Sequence, residues 1–464
     1  MRKSTKHFSF IFLLSIMLSQ FSIAQRISAC GYHSFSLCSD NSIMSWGYNI
    51  DGELGIGTTT NSNIPLPISS LNNIRSITGG SYHSLAIKND STLLSWGQNI
   101  YGALGDGTNV GSDIPVTVNS LTEIIAISAG GNHSIALKKD STVWTWGYNI
   151  YGQLGDGTNI DTNVPSQVFS LSGIIAISAG AYHSLALKSD STVWAWGLNI
   201  NGALGDGTYT DSNFPVQVGF LTGVSSIKGG RFHSIALKNN GTVWAWGQNG
   251  WGELGDGTFT NSNIPVQVSG LSTIQDISTS GLHNLSLKND STIWAWGQGV
   301  YGQNGDGTNF NSGVPVPVVS LTGVTSISAG AYHSLAMKSD SSIWSWGYNL
   351  TGQLGIGSFS DVNIPTQVTG LCSAANLMSE TFLENSISVF PNPFSTQTIL
   401  HSSIFLHNAT ITLVNCFGQT AKQIKNISGQ TVSLARDNLS NGLYILHLIE
   451  GNKILAVNKL LITD

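Results

Sequence analysis

The chain has 464 residues, only 9% of them charged, with 19 Lys plus Arg against 25 Asp plus Glu for a formal charge of −6. A charge so small and thinly spread supplies no basic field for nucleic acid or an anionic membrane surface, while the length allows two or three domains. The 53 glycines and 13 tryptophans are an excess of the kind a repeated motif creates.

Residues 1–24 read as a secretory signal. Arg2, Lys3 and Lys6 precede an apolar stretch from Phe8 to Leu18, and Ser22-Ile23-Ala24 supplies the small-x-small cleavage pattern. That stretch is too short to span a bilayer, and no later segment approaches 18 apolar residues. Ile27-Ser28-Ala29-Cys30 imitates a lipoprotein box, but Arg26 interrupts the apolar run and Ile-Ser-Ala recurs at Ile177-Ser178-Ala179, so lipidation is not expected. An exported chain is free to form disulfides, and Cys30 or Cys38 could pair with Cys372 across the ends of the repeat region. The preferred reading is that these three and Cys416 are small buried apolar residues.

A 50-residue period follows without insertion or deletion. It carries His33, His83, His133, His183, His233, His283 and His333, and with the same step Trp46 to Trp346 and Pro65 to Pro365. One unit shows its composition. Ile174-Ile175-Ala176-Ile177 is a short strand ending at Gly180, Ser184-Leu185-Ala186-Leu187 a second, and Thr192-Val193-Trp194-Ala195-Trp196 a third, stopped by Gly197. A Gly-rich loop, Asn201 to Thr208, leads to a fourth strand opened by Pro215, which places that strand at an outer edge. Both parities of these strands are apolar or small, so each sheet must be sandwiched between neighbours. Radial stacking of seven four-stranded blades satisfies that, and it predicts an all-β, seven-bladed propeller over residues 25–372. The last strand, Pro365-Thr366-Gln367-Val368, is expected to complete the blade begun by Arg26 to Ala29 and so close the ring.

The unit His-Ser-x-Ala-Leu-Lys, Trp-Gly-x-Asn, Gly-x-Leu-Gly-Asp-Gly-Thr resembles the regulator of chromosome condensation repeat from about Arg26 to Cys372. The double-glycine and spaced Tyr…Trp pattern of kelch repeats, which have a similar length, is not present. The resemblance implies a seven-bladed propeller, a fold that is also similar to that of the β-lactamase inhibitor protein II group of exported binders. Family members that act on a Ran-type GTPase reach it with a wedge inserted between strands. No repeat carries an insertion here, and a secreted chain does not meet cytosolic GTPases, so exchange activity is not carried over.

The repeated residues read as structural. One histidine per blade beside small residues points to one local hydrogen bond made seven times rather than to a metal centre. Asp106, Asp156, Asp206, Asp256 and Asp306 sit in Asp-Gly turns that lack the ligand alternation of a calcium loop. Paired tryptophans such as Trp194 and Trp196 read as blade packing. No nucleophile elbow, Walker-type loop or zinc-protease motif occurs, so no enzyme, cofactor or metal is expected. Interest moves to positions where the repeats disagree. Tyr101, Tyr151, Trp251 and Tyr301 stand before the loop glycine, and Tyr209, Phe259, Phe310 and Phe359 follow Gly-Thr; these eight are the candidate ligand-binding residues. Tyr32, Tyr82, Tyr182, Phe232 and Tyr332, each before a histidine, either join them or pack between blades. Aromatics among Asn, Ser and Thr have the composition of a protein- or glycan-recognition surface.

After Leu371 the period stops. Residues 373–384 read as a linker and 385–464 as a small β-sandwich with Phe417-Gly418 and Asn441-Gly442 turns. The segment resembles the type A C-terminal sorting domain of the type IX secretion system through Pro391-Asn392-Pro393, Leu439-x-x-Gly442-x-Tyr444 and the Lys459-Leu460-Leu461-Ile462 end. That resemblance implies passage across the outer membrane by the type IX machinery and a secreted or surface location. The expected product is a monomeric, non-catalytic propeller that binds a protein or glycan through one face, the alternative being a structural or adhesive envelope component.

Overall fold

Four short strands per 50 residues is what the computed structural model of the chain contains, seven times over. It describes residues 27–38, 42–118, 120–371, 387–415, 420–450 and 453–464. The expected signal peptide and linker lie outside the described residues. The chain divides into two compact units, Met1–Cys372 and Ser373–Asp464, and the described residues are strands and turns with no helix.

In the fourth blade, Ile174–Ala179, His183–Lys188, Val193–Gly197 and Ser212–Gln217 pair antiparallel in that order. First strands contact the first strands of both neighbouring blades and are innermost, so each fourth strand lies at the outer edge as its proline requires. That strand begins three residues before Pro215. Its register shifts between Ala195↔Val216 and Gly197↔Ser212, so the residue without an N–H sits where the ladder is broken. Leu185, Leu187, Val193 and Ala195 of one blade pack on Val224, Ile227, Ala236 and Trp246 of the next, which is why both sheet faces are dry.

The ring does not close by strand exchange. Ile27–Ala29 pairs with His33–Leu37, and Val362–Gln367 pairs with Ile343–Gly347, so the first and seventh blades each consist of four consecutive strands. The seam is made by the contacts that join the other blades. Trp46 Nε1 donates to the Gln353 carbonyl at 2.9 Å, Ser34 Oγ lies 2.7 Å from His333 Nε2, and the Ala29 amide donates to Ser328 Oγ at 2.9 Å. Ile27, Ala29 and Trp46 pack on Leu335, Ile343 and Val368. With those bonds available, an exchanged strand is unnecessary.

The expectation of four free cysteines is also corrected. Cys30 is free and fully buried, but Cys38 is disulfide-bonded. Cys372 and Cys416 lie outside the described residues. Cys38 stands where the other six repeats have lysine at the end of the second strand, from Lys88 to Lys338, and an oxidising export route permits the bond.

In the second unit, Ile387–Phe390, Gln397–Val414, Thr420–Ala435, Gly442–Glu450 and Lys453–Ile462 form one five-stranded sheet. Register shifts between His401 and Ile411 bend its longest strand. The sheet wraps a core of Leu400, Leu406, Ile411, Leu446, Leu448 and Leu460, so the two faces of the expected sandwich belong to one continuous sheet.

The sixth blade contains a compensated exchange. Elsewhere an asparagine orders the long loop: Asn199 Oδ1 accepts the Leu204 amide, and Asn199 Nδ2 donates to the Thr208 and Thr210 carbonyls. In the sixth blade that asparagine is Gly299 and the leucine is Asn304, whose Nδ2 reaches toward the Phe310 carbonyl at 3.4 Å. A Cβ on Gly299 would meet the Phe310 carbonyl oxygen at 1.9 Å and Asn304 Nδ2 at 2.7 Å. Gly299→Asn alone is therefore expected to cost about 2 kcal/mol or more, and adding Asn304→Leu to recover it. Denaturation of both singles and the double checks this; additive losses would contradict it.

Candidate functional site

Strands alternate in direction, so the loops between first and second strands and between third and fourth strands emerge on one face of the propeller. All eight candidate ligand residues and the five aromatics that precede histidines lie in those loops. What holds the loops in place is a repeated bond set beneath them.

His133 shows it. Its Nε2 lies 3.0 Å from Ser184 Oγ of the next blade, and Ser184 donates to the Gln153 carbonyl at 2.8 Å. The same carbonyl accepts Trp196 Nε1–H at 2.9 Å. Because the serine proton goes to the carbonyl, the histidine must donate from Nε2, which leaves Nδ1 as a bare nitrogen with no partner. Where the fifth blade meets the sixth, Asn284 of the sixth replaces serine and settles the tautomer. Its Nδ2 donates to the Glu253 carbonyl, so its Oδ1 must accept from His233 Nε2, at 2.7 Å. The seven histidines are thus committed to neighbouring blades and do not converge on a common point. The Gly-Asp-Gly-Thr carboxylates are likewise engaged in their own turns: Asp206 Oδ1 accepts the Thr208 amide and hydroxyl, each at 2.9 Å.

The candidate aromatics fall into two tiers. Tyr151 and Tyr301 are half-buried and reach inward to the residues before histidine, with ring centroids 5.9 Å from Tyr182 and 5.7 Å from Tyr332. Tyr101 packs at 4.7 Å on Tyr148, which also contacts Tyr151. Tyr209, Phe259, Phe310 and Phe359 form an exposed outer tier, Phe310 most of all at 76%, and Trp251 is exposed at 38%. The aromatics before histidine pack on one another and stay half-buried. Tyr32 stacks on Tyr82 at 6.0 Å and Tyr182 on Phe232 at 5.5 Å, yet all four keep part of their surface open.

Sequence reasoning missed Tyr48, Tyr148 and Tyr348, which stand two residues after the core tryptophan and join these clusters. It also missed Arg231. The equivalent positions are Gly31, Ser81, Gly131, Ala181, Gly281 and Ala331, so alignment of the repeats carried the signal. Two carboxylates, Glu53 and Glu253, are buried beneath the loops, and burial pushes both up to about 7.

In the second unit the sorting-motif residues meet at one end of the sheet. Asn392 Oδ1 accepts the Leu461 amide at 2.9 Å, Phe394 exchanges backbone bonds with Leu461 and Thr463, and Pro391 and Pro393 flank this contact. Buried Tyr444 donates its hydroxyl to the Ser440 carbonyl, and Gly442 takes φ +147° in the same turn. Lys459 pairs through its backbone with Ile445. Arg436 ties the motif segments together by donating to Asn441, Ser395 and Thr463.

The RCC1-like domain model matches residues 12–321, and models of the regulator of chromosome condensation repeat match residues 324–353 and 340–375. The secretion system C-terminal sorting domain model matches residues 388–463. No curated protein sequence matches significantly. Among solved structures, human WBSCR16 is similar at 23% identity and TM-score 0.65, covering 71% of this chain and 94% of that one. Yeast RCC1 (Prp20) bound to Kap60 is also similar at 23% identity and TM-score 0.65, covering 75% and 85%. A further structure of Prp20p from Saccharomyces cerevisiae gives 23%, TM-score 0.64, and coverage of 75% and 88%. At that identity the likeness extends to the fold alone.

Burial holds the seven histidines at about 3 to 4 against an ordinary 6.5. Below pH 6.5 the unfolded chain therefore binds protons that the folded chain refuses, so their contribution is complete above 6.5 and lost as pH falls toward 4. Glu53 and Glu253 act in the opposite sense, since the fold keeps their protons between 4.5 and about 7. Seven outweigh two. Unfolding at pH 5.5 should take up on the order of five protons, and the urea midpoint should fall steadily from pH 6.5 to 4.5. A flat or rising midpoint would contradict the neutral histidine ring.

Proposed function

The chain belongs to the RCC1-like domain family, and from that premise we propose that it is an exported binding module that holds a protein or glycan ligand on the loop face of its propeller. In this reading residues 1–24 are removed on export, 373–384 link the two units, and 385–464 engage the type IX secretion machinery, leaving a monomeric propeller outside the cell. The observation that carries the proposal is the distribution of aromatics. Most aromatics that vary between repeats gather on one face, against the exposed Phe169 and Phe220 in loops of the other, while the residues that repeat are consumed in joining blades. Large rings with two rotatable bonds and polar tips, set among Asn, Ser and Thr, supply contact area at low entropic cost.

One of the similar yeast structures is described by its binding to Gsp1p and histones. An exchange-factor role is not adopted for this chain, because the unbroken period leaves no blade with an inserted element.

The secreted protein is expected to give saturable binding on a glycan array or to surface proteins in a pull-down. Tyr151→Ala with Trp251→Ala should weaken that binding at least tenfold without changing the fold. No ligand from either screen would favour a purely structural envelope role instead. Deleting residues 391–464 should leave the protein in the periplasm, and unchanged surface display of the truncated chain would overturn the export reading.

A further inference from the structure

The two ends of the propeller carry different charge. Nine aspartates, from Asp51 to Asp361, stand in the loops between third and fourth strands, and those loops contain no lysine or arginine. Arg231 is the cation of the loops between first and second strands, and its Nη1 donates to the Tyr332 hydroxyl at 2.9 Å. Lys228, in the same blade's first strand, counters the burial that pushes the Asp276 carboxyl up in the next. Adding that pair leaves the formal excess of aspartate as it was. At the opposite end seven lysines, from Lys88 to Lys338, and Arg75 stand with six described acids. The loop face is therefore acidic and the other end is not.

The same acidic loops hold exposed aliphatic side chains. Ile50, Ile100, Ile150, Ile200 and Leu350 occupy one loop position and are each more than half exposed. Gly250 fills that position in the fifth blade, so the fold does not need the side chain. In the second and third blades the loop tip adds another. Val110 and Ile160, each 72% exposed, stand where other repeats have Thr60, Thr210, Thr260 and Ser360. Asn109 and Asn159 fold each tip onto its own loop by donating to the Ile100 and Ile150 carbonyls at 2.9 and 3.0 Å. Asn163 ties the two loops together, donating to Asn109 Oδ1 at 2.7 Å. The four aliphatics are thus held on joined loops that also carry Tyr101, Tyr151, Asp106, Asp156 and Asp161. Asp161 is itself fixed by accepting the Asn149 amide at 2.7 Å. Exposed apolar groups gathered and fixed in this way mark an interaction surface.

We propose that the loops of the second and third blades bind a basic amphipathic segment of a partner protein, in which lysine or arginine alternates with large aliphatic residues. The branched aliphatics take up its apolar side chains. The carboxylates around them pair with the flanking cations and reject anionic partners. A second copy of this chain, face to face, would set acid against acid. This rests on the ligand-face reading and names its ligand class as protein.

The test uses the full secreted chain and fluorescence anisotropy with three labelled peptides of equal length, built from Lys-Leu, Glu-Leu and Lys-Ser repeats. The Lys-Leu peptide should bind at least about tenfold tighter than either of the others, and added salt should weaken it. Two double variants should leave the thermal midpoint unchanged. Val110→Thr with Ile160→Thr copies the sister repeats. Asp156→Asn with Asp161→Asn removes charge but keeps an acceptor, as Asn261 does for the Asn249 amide. Each should weaken the Lys-Leu peptide at least about fivefold, the second only at low salt. Asp140→Asn with Asp190→Asn, on the opposite turns, should leave binding unchanged. Lys-Leu binding no tighter than Glu-Leu or Lys-Ser, loop variants without effect, an equal loss from the opposite-turn variant, or no binding of any peptide would each overturn the proposal. So would self-association of the chain that Val110→Thr with Ile160→Thr abolishes. If another ligand still depends on Tyr151 and Trp251 while these peptides fail, the face reading stands and this inference alone falls.

Discussion

One backbone carbonyl in each long loop carries the architecture. At Glu53 it accepts Trp96 Nε1–H at 2.8 Å and Ser84 Oγ–H at 2.9 Å from the next blade, and that serine in turn receives the His33 donor from the first. A carbonyl has two lone pairs, and both are filled by neighbouring side chains in a buried site. Every blade interface repeats the set, including the seam between the last blade and the first. The fully buried tryptophan requires a close neighbour of its own. Gly155, at φ +67°, lies where an added Cβ would come within 2.7 Å of Trp196 Nε1. The second glycine of the loop is therefore required because it lies against the indole of the following blade.

This arrangement divides the repeat into two populations. Histidine, serine, tryptophan and the loop glycine are consumed in holding blade to blade, and changing any of them leaves a buried donor or acceptor without its partner. Residues whose side chains leave the loops toward solvent carry no such obligation and can differ from blade to blade. The aromatics, Arg231 and the sixth-blade exchange of Asn and Leu all belong to this second population or to compensated pairs. Much of the individuality in a nearly sevenfold molecule lies on one face, while the opposite loops depart from the repeat at exposed Phe169 and Phe220. Their lysines lie over half-buried tryptophans such as Trp194 and Trp244 at 5.3 to 5.5 Å.

Much of this was legible in the sequence. The period gave the blade count, and the dry parity of Leu185, Ala186 and Leu187 required sheets on both sides. The mode of closure was not legible, because an exchanged strand and four consecutive strands use the same residues. Only the strand pairings, Ile27–Ala29 with His33–Leu37 and Val362–Gln367 with Ile343–Gly347, distinguish them. The bonded state of Cys38 was hidden for a related reason, since spacing alone does not say which cysteines meet. Arg231 was visible as the odd residue in a row of Gly, Ser and Ala but carried no motif. Its surroundings, the Phe232 ring and the Tyr332 hydroxyl two blades away, came only from the structure. In the second unit, alternation showed the strands, while the bend that turns one sheet around its own core depends on bulges that leave no compositional mark.

The central claim is that seven equivalent bond sets close the ring with no special clasp of exchanged strands. The most direct measurement is hydrogen exchange of the seven core indole Nε1–H groups, from Trp46 to Trp346, resolved by NMR in the folded protein. The account predicts that all seven exchange together, through one cooperative opening, with Trp46 at the seam as protected as Trp196 opposite it. Exchange at Trp46 more than about tenfold faster than at the other six would show a seam that opens on its own, and would contradict the account.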